Sequence, residues 1–448
     1  MIEAGTSRIR NKAAKVKESS YLIASISHEK RNVLLRAMAA QIKQDQSAIM
    51  HANKIDLESA AKLVQQGYLT EAAVKRLVLT ESRLDDITNG IEQVATLPDP
   101  LGAVTLAREL DPGLNLYKVT CSIGVIAVIF ESRPDVLPQV LSLCLKSGNA
   151  AILKGGKEAV HTLKQLFESI LKALKSGGLK QDIFELLEDR DEVNALLQAD
   201  RYVDLIIPRG SNELVKYIIS NTAIPVLGHA AGVCHIYIDA DANLDMALTI
   251  CLDAKVQYPA ACNAVETFLV HGNIASKFLP VLIWALAEQK VEVRCHQNIM
   301  TRLDISAFPN VVQATESDWG TEYSNLTVAV KIVDSMEEAI LHINRFSSNH
   351  TDAIITDNSH AAAKFFQTVD SASVFHNAST RFADGYRYGF GAEVGISNGK
   401  LHPRGPVGLE GLITYKYRLM GNGHIVENYT GPSARGFTHR DLGEEAIC

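Results

Sequence analysis

No two cysteines of this chain are spaced Cys-x-x-Cys, no two histidines form an HxxxH or HExxH pair, and no apolar run approaches membrane-span length. A transmembrane helix needs about 20 consecutive apolar residues, and the longest stretches here, such as Ile123 to Phe130, fall far short. The seven cysteines, at 121, 144, 234, 251, 262, 295 and 448, are an odd set without zinc-ligand spacing. They argue against a disulfide framework and against a bound metal, and they fit a reducing compartment. Basic blocks interleaved with aromatic residues are also missing, and the net charge is −7, so nucleic acid is not an expected partner. Arg8, Arg10, Lys12, Lys15 and Lys17 crowd the N-terminus, but Glu3 and Glu18 interrupt them and no apolar segment follows, which argues against a secretory signal. A cytoplasmic setting is therefore expected.

What is present is ordinary for a globular protein: 47% hydrophobic and 21% charged residues over 448 positions, too long for one core, so that two or three domains are expected. The first hundred residues read as helices, with Val33, Leu34, Leu35, Met38 and Ile42 at helical spacing and Leu57 to Leu63 continuing the pattern. Pro98 and Pro100 break it. Residues 104–121 suit a hairpin with Pro112-Gly113 as the turn. From Ile123 strands and helices alternate: GVIAVIF (124–130), a helix at 137–146, AAILK (150–154), a helix at about 158–175, VDLIIP (203–208) and a helix at 212–220. A second such set follows Tyr258-Pro259, with strands at 267–271, 291–295, 327–333 and 352–356, helices around 275–288 and 336–344, and SVFHN (373–377) as a last buried strand. Asn358 or Ser359 can cap the helix after 356. Alternation of this kind predicts parallel, doubly wound sheets with ligands at the carboxyl ends of the strands. LITYKY (412–417) reads as an edge or interface strand. No internal repeat or low-complexity tract is evident.

Four segments could carry chemistry. In QYPAACNAVET (257–267), Cys262 sits among small residues between the two halves; a thiol there could attack a carbonyl if a cation or helix N-terminus lowered its pKa. A buried core residue is the commoner fate of cysteine, and this segment alone favours it. PRGSNE (208–213) ends a strand at Gly210-Ser211 and opens a helix, a place for a pyrophosphate, although it lacks the GxGxxG fingerprint and most such turns only reverse the chain. AAILKGGKEA (150–159) places Lys154, Gly155 and Lys157 at a sheet edge, where they could meet a ribose or 2′-phosphate or be merely solvated. FESRPDV (130–136) brings Ser132 and Arg133 to the same edge, with Arg133 suited to a carboxylate or phosphate or to a structural ion pair.

Taken in order, GVIAVIFESRP (124–134), LKSGNAAILKGGKEA (145–159), LIIPRGSNELV (205–215), IPVLGHAAGVCHIYID (224–239), QYPAACNA (257–264) and STRFADGYRYGFGAEVGISNGKLHPRGPVGLEGLITYK (379–416) resemble the aldehyde dehydrogenase superfamily. The likeness covers nearly the whole chain, and the last string points to the branch that reduces the acyl phosphate glutamyl 5-phosphate. The resemblance implies two doubly wound α/β domains plus a hairpin and strand for oligomerisation: a cofactor domain over 1–254 with its hairpin near 104–121, a catalytic domain over 255–377, and a return over 378–448 ending in an oligomerisation strand. It implies Cys262 as nucleophile, NADPH as cofactor, Lys154, Gly155, Gly210, Ser211 and Glu322 as cofactor-binding residues, and a homodimer or homotetramer. Where hydrolytic members carry a water-activating glutamate, this chain reads Val226-Leu227-Gly228-His229, so a thioester should resist water. Ser132 stands near the place of the family's oxyanion-hole asparagine, with the backbone N–H of Cys262 the safer donor. Arg133, Arg381, Arg387 and Arg404 are candidates for a substrate anionic at both ends. His229 and His402 are weighed as aids to phosphate departure, a structural role being commoner for each. Reduction of an acyl-CoA, service as the reductase half or assembly module of a two-activity synthase, and a catalytically dead scaffold are the competing readings; the start at Met1 favours a free-standing enzyme.

Overall fold

The computed structural model describes residues 2–443 except 180, 189–190, 229–230, 303–307, 392 and 401. The chain divides into two compact units, one formed by Met1–Leu227, Gly391–Gly395 and Val407–Cys448, the other by Gly228–Phe390 and Ile396–Pro406.

In the first unit the helices Ile2–Ile23, His28–Gln44, Gln46–Gln65, Glu71–Leu77 and Glu81–Thr96 precede any strand. Ser27 caps the second of these by accepting from Lys30 N, as an N-cap serine does for the otherwise unbonded first-turn N–H groups. Leu34, Leu35, Met38 and Ile42 of that helix are buried as their spacing predicts, whereas Val33 is exposed because its position turns it off the apolar stripe. A hairpin follows, β1 (Val104–Asp111) and β2 (Leu114–Ser122), with Gly113 at φ 76° supplying the left-handed turn residue. Then come β3 (Val125–Phe130), β4 (Ala150–Lys154), β5 (Phe184–Leu187) and β6 (Leu205–Arg209), in the order β5-β4-β3-β6 with every pairing parallel. All residues of β3 and β4 are buried. That explains their apolar runs, broken only by Lys154 at the end of β4, since a parallel strand is covered on both faces.

The second unit holds β7 (Cys234–Ile238), β8 (Val265–His271), β9 (Glu292–Cys295), β10 (Val311–Gln313), β11 (Thr327–Val333), β12 (Thr351–Ile355) and β13 (Ser373–His376), in the parallel order β10-β9-β11-β8-β7-β12-β13. Asn358 caps the helix Ser359–Thr368, accepting from His360 N and Ala361 N.

Two expectations need correction. The first boundary lies after 227, not 254, because β7 hydrogen-bonds between β8 and β12 and the helix Leu244–Val256 places Ala247, Cys251 and Ala254 in the core of that sheet. The catalytic unit likewise runs past 377 to Phe390 and takes in Ile396–Pro406. Second, β13 is not a buried strand: it closes the edge of the sheet, with only Ser373 fully buried. Among the described residues no helix is long and apolar enough to cross a membrane.

Candidate active site

The carboxyl ends of β3, β4 and β6 lie side by side in the first unit and carry the expected cofactor residues. Ser211 caps the helix Asn212–Ser220, and its own N–H donates to Glu131 Oε2 at 2.9 Å. A Cβ on Gly210 would meet that same carboxylate at 2.4 Å, so a larger residue there would have to displace the Glu131 side chain. Lys154 is nearly buried at the end of β4 and its ammonium donates to the Gly155 carbonyl. A Cβ on Gly155 would fall 2.2 Å from the Leu163 side chain, and one on Gly156 2.1 Å from the Glu158 carboxylate, so the backbone there lies close under neighbouring side chains. This glycine-lined edge, with a lysine and a helix N-terminus, fits a dinucleotide phosphate.

Ser132 stands one residue further along, at φ 47°, a conformation that costs a non-glycine residue roughly 1–3 kcal/mol. Its N–H and hydroxyl both donate to Glu158 Oε1, at 2.7 and 2.6 Å, and hold it there. The hydroxyl proton is thus engaged by a carboxylate, which removes the ground for Ser132 as an oxyanion donor. Arg133 pairs with Asp135 at 2.8 Å.

In the second unit Cys262 lies on the connection between the helix Leu244–Val256 and β8, half-buried, in a turn closed by Ala264 N donating to Ala261 O at 2.9 Å. Two features hold its backbone. A Cβ on Gly232 would come within 2.1 Å of the Cys262 carbonyl oxygen, so only glycine allows the approach. The Cys234 thiol donates to that same oxygen at 3.4 Å. Burial pushes the Cys234 thiol well above its usual range, with Asp352 and Cys262 adding to the effect, so it stays protonated and able to donate.

Arg381 comes from far along the chain to this connection. It is 8% exposed, its Nε donates to Gln257 Oε1 at 2.9 Å, and its guanidinium lies 5.8 Å from the Tyr258 ring centre. Burial and then Arg387 push its pKa down, while the Cys262 thiol pulls it up. That attraction is mutual, so the guanidinium favours the thiolate. Arg387 donates to the Arg381 carbonyl at 2.9 Å, and buried Asn263, next to Cys262 in the chain, donates to Ala383 O at 2.9 Å, fixing the segment 381–383. Arg404 is held elsewhere in the unit, by Asp370 O at 3.1 Å and Asp370 Oδ1 at 3.3 Å. His402 is exposed, and His229 lies outside the described residues.

Glu322 sits on the loop before β11. Tyr323 beside it donates to Asp318 Oδ1 at 2.7 Å, and Ser324, at φ 54°, donates its N–H to Glu266 Oε1 at 3.3 Å. Glu266 in turn is paired with Lys255 at 2.5 Å, both side chains fully buried. Burial drives the Glu266 carboxyl up and the Lys255 ammonium down, and each partner's charge opposes the shift. Gly232, Cys234, Asn263, Gln257, Lys255 and Glu266 were not singled out in the sequence. Lys255, Gln257, Asn263 and Glu266 stand within seven positions of Cys262 but their partners do not show in the sequence, and the approach of Gly232 and Cys234 exists only in three dimensions, although four of the six lie within segments that carry the family likeness.

The aldehyde dehydrogenase family model matches residues 3–300, and the chain belongs to that family. Within it, the chain is 52% identical over 435 residues to a gamma-glutamyl phosphate reductase of Methanosarcina mazei, covering 97% of each. It is likewise 52% identical to one of Synechococcus sp. strain JA-3-3Ab, covering 92% of this chain and 90% of that one. The crystal structure of gamma-glutamyl phosphate reductase from Thermotoga maritima superposes with a TM-score of 0.88 at 39% identity, covering 93% of this chain and 99% of that one.

Proposed function

We propose that this chain reduces glutamyl 5-phosphate to glutamate 5-semialdehyde and phosphate with NADPH, the second step of proline synthesis from glutamate, through a thioester on Cys262. The observation that carries the chemistry is the half-buried Cys262 on a backbone held by Gly232 and Cys234, with the charge of Arg381 acting on it; the relatives at 52% identity support the substrate.

The Cys262 thiolate attacks the acyl carbon, a C–S bond forms as the C–O bond to phosphate breaks, and phosphate leaves with the electron pair, needing no strong general acid. NADPH, when bound, supplies the hydride that reduces the thioester. The backbone N–H of Cys262 stabilises the oxyanion of the resulting tetrahedral species. Its collapse returns the thiolate and frees the aldehyde. Lys154, Gly155, Gly210 and Ser211 hold the dinucleotide and Glu322 its nicotinamide ribose. Arg381 and Arg387 serve both the thiolate and an anionic substrate, and Arg133 is a further candidate for the substrate's charge. A chemistry that depends on a free thiolate suits a reducing cytoplasm.

The deciding experiment runs the reaction backward, following NADP⁺ reduction by glutamate 5-semialdehyde with phosphate, with CoA and with neither. Phosphate-dependent activity that disappears in Cys262→Ala is expected. Near wild-type activity in that variant overturns the thioester, and a requirement for CoA overturns the acyl phosphate.

Self-association belongs to the same proposal. The strand Ile413–Met420 pairs with β2 and its outer edge has no further strand among the described residues, while Tyr415, Tyr417, Leu419 and Met420 are each at least half exposed. An unpaired apolar edge of this kind invites a second copy. A dimer or tetramer by light scattering, reduced to monomer by Tyr417→Lys with Leu419→Lys, is expected.

A further inference from the structure

The buried ion pair between Lys255 and Glu266 spans the base of the connection that carries Cys262. Lys255 is in the last turn of the helix entering the connection, and Glu266 is in the strand leaving it. Lys255 Nζ reaches across to Glu266 Oε2 at 2.5 Å and to the Val265 carbonyl at 3.0 Å, tying the two ends together. The second oxygen of the same carboxylate accepts the N–H of Ser324 at 3.3 Å. Ser324 is held there at positive φ, two residues after Glu322. Both Lys255 and Glu266 also feel the charge of Glu322. One carboxylate therefore joins the nucleophile's connection to the loop bearing Glu322.

A fully buried ion pair is weak evidence for stability, because apolar residues of similar size often serve as well. Stability alone therefore gives no account of it. We propose that Lys255 and Glu266 are positioning residues that set the Cys262 thiol and the Glu322 carboxylate in register, so that the thioester and the nicotinamide ribose are held at one working separation. The proposal rests on the roles given above to Cys262 and Glu322. Nothing in it requires either residue of the pair to touch substrate.

The test compares single and double variants of the full-length enzyme. Glu266→Gln and Lys255→Met each leave one buried charge without its partner and should lower the melting temperature. Lys255→Met with Glu266→Leu removes both charges and should recover it. Positioning predicts that this double variant, though stable, has kcat lowered about 100-fold, the scale of a 1 Å misplacement, and binds NADPH more weakly by protein fluorescence titration. Recovery of stability, kcat and cofactor affinity together would mean that the pair only fills the core, and would overturn the proposal. Should that double variant not fold, Lys255→Met with Glu266→Gln replaces it. A glutamine at 266 keeps an acceptor for Ser324 N–H, so cofactor affinity should stay near wild type while kcat falls; unchanged kcat overturns the proposal here too. Cys262 alkylation in the cofactor-free variants separates the two ideas, since a thiol that labels normally yet is dispensable for turnover indicts the thioester reading and not the pair.

Discussion

Gly232 and Cys262 are in contact through their backbones, and the absence of a side chain on the first makes room for the second. A Cβ at 232 would lie 2.1 Å from the Cys262 carbonyl oxygen and 2.6 Å from its Cα. The requirement is one of space, since the opposing atoms are backbone and cannot rotate aside. Gly232→Ala should therefore shift the nucleophile and lower kcat about 100-fold, with a smaller effect on substrate KM. Activity within a factor of about two of wild type, measured in the phosphate-dependent assay, would show that the connection carrying Cys262 yields at no cost to function.

Arg381 is a buried cation whose charge acts on Cys262, and it is held by Gln257. Replacing it with methionine removes the charge and keeps much of the bulk. Alkylation of Cys262 by iodoacetamide at pH 7 should slow roughly tenfold, and the whole rate profile should move to higher pH. A profile that does not move would confine Arg381 to substrate binding or structure.

Ser132 and Glu158 make a different kind of pair. With its hydroxyl donated to Glu158 at 2.6 Å, Ser132 has a structural partner already. Loss of an oxyanion donor lowers kcat by about 10²–10³. Ser132→Ala should fall well short of that, showing instead a lower melting temperature as the strained turn loses one of its two bonds to Glu158. A thousandfold loss in kcat with an unchanged melting temperature would restore Ser132 to the oxyanion hole.

His342 is 6% exposed, packed against His235, Trp319 and Phe346. Burial first, and then the charges of His235, Lys331, Arg345 and His296, push its pKa down to about 2. Its folded value lies below the unfolded one, so the neutral ring contributes stability above about pH 6.5 that is lost as the pH falls below it, by about 1.4 kcal/mol per pH unit. His342→Leu should flatten this acid limb in urea titrations from pH 7 to 5. An unaltered slope would mean that other groups govern it.

Much of the architecture was legible because it is written in local pattern. Runs such as 125–130 and 150–153 are apolar throughout, and each forms a strand buried on both faces. Boundaries between units were not legible in that way. The strand Cys234–Ile238 looks like a continuation of the first α/β set in chain order, yet it pairs with β8 and β12. Sheet order is a matter of which edge a strand finds, and no periodicity encodes it. The short strand Phe184–Leu187 and the edge strand Val311–Gln313 escaped for a related reason: they are too brief for alternation to register.

At the site the division is similar. The sequence by itself determined that a thiol stands between two α/β sets and precedes a strand, that glycines punctuate the carboxyl ends of β4 and β6, and that the chain matches a family whose chemistry uses such a thiol. Only the tertiary structure decided what surrounds that thiol. Arg381 reaches Gln257 from 124 residues away, and Cys234 reaches the Cys262 carbonyl from 28. Residue type and spacing constrain a chain only over the few residues that a helix turn or strand pleat links. Contacts over longer separations depend on how the strands are ordered, and in this chain that order, with β7 set beside β8, brings Gly232 and Cys234 against the nucleophile.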